Sequence, residues 1–189
     1  MITYQVEQWR DIVAEMEVLW PAHWEEIAIN RDSIKLAPDY QSYEAFADSG
    51  ALHIVTAREA GEIVGYHITI VRPHLHYKND LHGFTDVYYI SPEYRQGWTG
   101  VKLFKYVEKT LKARGVKKVF TGTKLHLDMG RLFERLGWHE TERLYTKVLN
   151  AQDAPQNPLP SHERMADERC RCDGRRCSHR CCGQLDLFE

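Results

Sequence analysis

The first 169 residues of this 189-residue chain contain no cysteine. All five cysteines fall between Cys170 and Cys182, so no disulfide can staple the larger part of the protein. An odd number of thiols in a reducing compartment also argues against a disulfide framework. Long apolar runs are missing too. No stretch approaches the length of a membrane span, and the opening "MITYQVEQWR" has no signal-peptide core. The expectation is a cytoplasmic protein without a membrane partner. A dominant charge is also lacking. The net charge of −2 gives no global pull toward nucleic acid or a lipid surface.

What is present is ordinary for a folded protein: 43% hydrophobic and 28% charged residues, in a length that suits one core. Composition shifts near Asn150. The stretch "NAQDAPQNPLPS" holds three prolines and almost no large apolar residue, as an extended linker does. The division is therefore a domain over 1–149, a linker over 150–169 and a tail over 170–189.

Within the domain the pattern alternates between helix and strand. Trp9, Val13, Met16 and Trp20 share one helical face, which Pro21 is expected to interrupt. Tyr40, Tyr43 and Phe46 mark a second helix ending near Gly50. "LHIVTA" and "EIVGYHITIV" read as a hairpin turning at Ala60-Gly61, and "FTDVYYI" as a further strand. Val101, Phe104, Val107 and Leu111 give a third helix, closed by Gly115 behind Lys109, Lys112 and Arg114. "VKKVFTGT" follows as a strand, "DMGRLFERLG" as a short helix and "HETERLYTKVL" as a last strand. The order ααββ, then βαβαβ, implies an α/β fold with a mixed sheet.

The segment "SPEYRQGWTGVKLF" joins a strand ending near Ile90 to the third helix. Gly97 and Gly100 allow close approach of backbone to a ligand, and a helix start offers unpaired N–H groups suited to phosphate. A loop that merely needs glycine for its turn is the alternative reading.

With this loop the region from Asp86 to Val148 resembles the coenzyme-binding half of the GNAT superfamily of N-acetyltransferases. Arg95, Gln96, Gly97, Trp98, Thr99 and Gly100 occupy the six positions of that family's Arg/Gln-x-x-Gly-x-Gly/Ala loop, with Trp98 where glycine is usual and Gly97 one place earlier. "RLFERLGW" is similar to the family's "lYeklGF" signature, and the Gly-Trp-Thr-Gly variant looks most like small acetyltransferases of bacterial viruses. The resemblance implies a GNAT-like fold and acetyl-CoA as co-substrate. The backbone of Tyr89, Ile90 and residues 95–100 would hold the coenzyme, and acyl transfer would run to an amine. Asp86 matches the acidic position on the strand before the loop, so it is the expected base that takes the amine proton, directly or through water. The signature's tyrosine, the expected acid for the departing thiolate, is Phe133 here; Tyr88 and Tyr145 both stand as replacements. Phe133 also favours a different function, a catalytically silent adaptor with this fold. Protein lysines, N-termini, small amines and modified nucleobases all remain open as acceptors.

Three features stand apart. His74, His76 and His82 lie in or beside the loop between the hairpin and "FTDVYYI", without the companion ligands a metal site needs. In the tail, Cys172, Cys177, His179 and Cys182 have the chemistry of a zinc knuckle, at a spacing that fits a thiol-rich tail without fixed structure equally well. Finally, Gln184, Leu185, Asp186, Leu187 and Phe188 resemble the peptide by which bacterial replication and repair proteins dock on the DNA polymerase sliding clamp. Such a peptide anchors by glutamine hydrogen bonds and apolar side chains in a pocket, with the linker supplying reach. A chain end folding back on its own domain is the alternative.

Overall fold

The computed structural model describes residues 1–149. Their framework is a five-stranded sheet in the order β1-β2-β3-β4-β5, antiparallel except for the β4–β5 pair. The strands are β1 (Thr3–Glu7), β2 (Leu52–Glu59), β3 (Glu62–His74), β4 (Tyr77–Ile90) and β5 (Val116–Phe120). Helices α1 (Trp9–Ile27) and α2 (Tyr40–Asp48) lie between β1 and β2 in the chain; α3 (Thr99–Ala113) and α4 (Gly130–Arg135) flank β5.

Residue patterning explains most of these elements. Trp9, Ile12, Met16 and Trp20 form one buried stripe of α1, packed on Ile54, Ile63, Tyr66, Ile68 and Tyr89 of the sheet. On the opposite face, Leu103, Val107 and Leu111 of α3 pack on Val55, Ala57, Val64 and Val71. The β2–β3 turn has positive φ at both Ala60 and Gly61, 51° and 95°, the requirement of a two-residue turn whose twist suits a hairpin. Arg58 on β2 donates to Glu7 of β1 and Glu15 of α1, each at 2.7 Å, and so ties the sheet's first edge to the helix above it.

Four expectations are corrected. Strand β1, unmarked by the sequence pattern, pairs Thr3–Glu7 with Ile54–Arg58. Helix α1 continues through Pro21 to Ile27, which carries His23 onto the buried stripe three residues beyond Trp20. "RPHLHYKNDLH" is the tip of the long β3–β4 hairpin rather than a loop, with His74 paired to Tyr77 and His82 to Arg72. "HETERLYTKVL" forms no strand; Leu144 and Tyr145 lie exposed.

Candidate active site

Strand β4 places most of the site. Its parallel partner β5 accompanies it only as far as the Phe84–Phe120 pair. From there to Ile90, β4 has β3 on one side and an opening on the other. At the start of this opening the β3–β4 register shifts: Thr69 opposes Thr85 and Ile68 opposes Val87. Asp86 is the extra residue, a bulge that turns a carboxylate out of the ladder. It is exposed on the α2 side, where it accepts a hydrogen bond from the Tyr43 hydroxyl. Burial, and then the carboxylate beside it, raise the Tyr43 phenol well above its ordinary range, so Tyr43 remains a donor.

Under Asp86 lies an aromatic layer, buried at Trp9, Trp20, His23, Tyr66 and Tyr89 and open at Tyr40. Tyr43 stacks on Trp9 with centroids 4.7 Å apart, and Trp20 stacks on Tyr40 at 5.5 Å. His23 Nδ1 and the Tyr66 hydroxyl share a 2.7 Å hydrogen bond, and the His23 ring stacks on Tyr89 at 4.9 Å. Burial drives the His23 pKa down to about 4, so the imidazole is neutral at physiological pH.

The other face of β4 carries Tyr88. Its ring meets Phe104 and Phe133 edge-on, at 5.2 and 6.1 Å, and its hydroxyl donates to the Gly122 carbonyl at 3.0 Å across the β4–β5 opening. Burial raises this phenol too, which keeps its proton. Thr121, next along from β5, has a buried hydroxyl with no partner among the described residues. Base and phenol thus sit on opposite faces of one strand at the place where the sheet parts.

Four residues beyond Asp86 the strand runs into the loop. A 3-10 turn over Pro92–Tyr94 leads to Gly97, whose φ of 75° admits glycine at little cost. Trp98, exposed, precedes α3 without capping it, so no side chain occupies the N–H groups of the first turn. Thr99 is buried, its carbonyl accepting from Tyr4 at 3.2 Å. At Gly100 an added Cβ would meet Ile90 Cδ1 at 3.6 Å, an ordinary contact. Gln96 is exposed on the rim. Arg95 is turned elsewhere: it donates to the Ile90 carbonyl at 2.7 Å and to Glu26 at the end of α1.

Tyr89 and Ile90 part company. The Ser91 N–H bonds the Val64 carbonyl on β3, and alternation along the strand turns the Tyr89 backbone toward β3 as well. The backbone groups of Tyr88 and Ile90 therefore face the opening. Tyr89's ring belongs to the core. Phe133 is buried against Phe104, while Tyr145 is exposed.

The sequence reading missed Tyr43 as the partner of Asp86, and His23 and Tyr66 beneath it. His23 was within reach, since continuing the Trp9–Trp20 face past Pro21 leads to it. The Tyr43–Asp86 contact spans 43 positions and has no local signal. Among the described residues no group of three or more His, Cys, Asp or Glu side chains is placed to hold a metal, and no helix is long and apolar enough to cross a membrane. The linker over 150–169, the tail over 170–189, the zinc set Cys172, Cys177, His179 and Cys182, and the peptide Gln184–Phe188 lie outside the described residues.

Residues 9–138 match the model of the acetyltransferase (GNAT) family. No curated protein matches the chain in sequence. Among solved structures, an aminoglycoside acetyltransferase from an uncultured soil metagenomic sample, in complex with sisomicin, aligns with a TM-score of 0.62 and 14% identity over 79% of this chain and 97% of its own. A predicted acetyltransferase from Clostridium acetobutylicum, solved with acetyl-CoA, gives 0.59 and 16% over 81% and 100%. A ribosomal-protein-alanine N-acetyltransferase from Brucella melitensis biovar Abortus gives 0.59 and 17% over 80% and 100%.

Proposed function

This chain belongs to the acetyltransferase (GNAT) family, and from that premise we propose that it is an acetyl-CoA-dependent N-acetyltransferase with the following division of labour among its residues. The loop 95–100 holds the coenzyme pyrophosphate by backbone N–H groups at the start of α3. The coenzyme arm follows the open side of β4, past the backbone groups of Ile90 and Tyr88. The acceptor amine enters from the α2 face. Asp86, directly or through water, takes a proton from the amine as its nitrogen attacks the thioester carbonyl. The C–S bond then breaks, the sulfur takes the Tyr88 phenolic proton, and solvent restores that proton.

The observation that carries this reading is the bulge at Asp86. It puts a carboxylate on one face of β4 and a protonated phenol, Tyr88, on the other, exactly where the sheet opens. Phe133, a hydrocarbon at the signature's tyrosine position, favours the silent-adaptor alternative; the Tyr88 phenol against its ring supplies the missing proton donor. Tethering to a sliding clamp through Gln184–Phe188 and a bacterial-virus source complete the proposal and rest on the sequence resemblance alone; the cytoplasmic setting rests on the lack of long apolar runs in the sequence. A clamp pull-down lost on Leu187→Ala with Phe188→Ala tests the tether.

The enzymatic reading is tested with purified full chain. Acetyl-CoA should raise the melting temperature by mass action, and Gly100→Glu, which sets a carboxylate at the loop, should abolish that shift. Asp86→Asn should keep the shift and lose turnover with amine acceptors. A wild-type chain unmoved by millimolar acetyl-CoA ends the coenzyme assignment; unchanged turnover in Asp86→Asn ends that of the base.

A further inference from the structure

The sheet face that carries Asp86 is covered by α1 and α2 only in part. Past Ile70 it is open among the described residues, and the strand register there sets side chains in rows. One row is Leu52, Ile70, Phe84 and Phe120, each opposite the next across β2, β3, β4 and β5. The next row is Arg72, His82 and Lys118, and beyond it His74 pairs with Tyr77. Directly opposed residues project to the same face, so the aromatic row lies beside a row with Arg72 and Lys118 at its ends and the buried His82 between them.

The two rows are locked together. Phe84 and Phe120 stack almost flat, centroids 5.1 Å apart and planes within 5°. The Arg72 guanidinium lies over Phe84 at 4.6 Å, and the Lys118 ammonium over Phe120 at 4.5 Å. Neither cation has a carboxylate partner among the described residues. The nearby Asp80 is taken by Lys117, and Asp86 by Tyr43. At the tip, His74 sits 5.1 Å from Tyr77 and 5.6 Å from His76, and Tyr77 is 60% exposed.

We propose that this face docks single-stranded nucleic acid. Arg72 and Lys118, held in place by the rings beneath them, pair with phosphodiesters, and bases stack on Tyr77 and the histidines of the hairpin tip. Positive charge interleaved with exposed rings is what a single strand requires. An acidic peptide would satisfy the cations and leave the rings in water. A duplex keeps its base faces stacked inside and offers them nothing. Because Phe84 lies two residues from Asp86 on the same face, a docked strand passes the acceptor side of the opening. The docking itself does not depend on the transfer chemistry.

The test is fluorescence anisotropy of labelled oligo(dT) with the full chain, across a salt series. Wild-type protein should bind in the micromolar range. Arg72→Gln with Lys118→Gln should weaken binding about tenfold or more and reduce the salt slope by about 1.4, since each phosphate contact on a single strand contributes roughly 0.7. Tyr77→Ala, at an exposed position, should weaken binding by about fivefold or more with the salt slope kept, as loss of one stacked base does. No binding by wild type overturns the proposal. So does binding that survives both variants, or a matching duplex or polyglutamate bound as tightly as oligo(dT). Each of these outcomes can occur with the acetyl-CoA melting shift intact, so failure here is distinct from failure of the enzymatic assignment.

Discussion

At the scale of single residues, Tyr43 is the group through which α2 reaches the site. It spends its one donor on Asp86 and its ring on Trp9. Tyr43→Phe keeps the stack and removes the hydrogen bond, so stability should fall by about 1.5–3 kcal/mol, the range for bonds to a charged group. The carboxylate would also lose what orients it. Turnover should therefore drop while the acetyl-CoA melting shift is kept, and a chemical melt with a coenzyme-binding assay checks both. The loop glycines and Asp86, on which the proposed function rests, stand out in the sequence because they lie within one short stretch. Tyr88 stands out only as one of two phenols, and the proposal takes it because β4 points it at the opening. Arg95 is a case of a long-range contact instead. Its place in the loop motif carries no local signal for a partner, and the fold sets the Ile90 carbonyl and Glu26 within reach of its side chain.

At the scale of elements, helices and hairpins with strong periodicity were readable, and the failures share a cause. Strand β1 alternates, but over only five residues, too few to announce itself, and it exists because β2 offers it an edge. "HETERLYTKVL" alternates well enough, but β5 presents exposed lysines along its short length and gains no further partner among the described residues. Pro21 was expected to stop α1; the buried stripe from Trp9 to His23 outweighs the one hydrogen bond that proline removes. Pro21 is exposed. Pro21→Ala should therefore restore that bond and raise stability by about 2–2.6 kcal/mol, the helix-interior gain less the entropy returned to the unfolded chain. Thermal melting of the variant measures this directly.

Across the whole molecule, both sheet faces bury histidine. His23 lies under α1; His53 bonds Thr110 of α3 at 2.9 Å; His67 sits between Thr69 and Thr85. Burial lowers all three, His23 and His53 to about 4 and His67 to about 3. Below the ordinary value of 6.5 the unfolded chain takes up protons that the native fold refuses. Stability is thus complete above pH 6.5 and declines as pH falls toward 4, at up to about 1.4 kcal/mol per pH unit for each histidine. Acid unfolding should begin well above the carboxylate range. His23→Gln, which keeps a hydrogen-bonding partner for Tyr66, should reduce the slope of stability against pH between 4 and 6.5 by one proton's worth, as denaturant melts at stepped pH would record.

The parting of β4 from β5 also has a colloidal side. From Thr85 to Ile90 one flank of the strand has no strand partner, and such a flank is a template on which a neighbouring chain can add itself. Tyr88, reaching over to Gly122, and Arg95, bonded to the Ile90 carbonyl, block that addition at two points. A coenzyme arm carrying amides would occupy the rest of the flank, so the ligand that supplies the acetyl group would also serve as the molecule's guard against self-association.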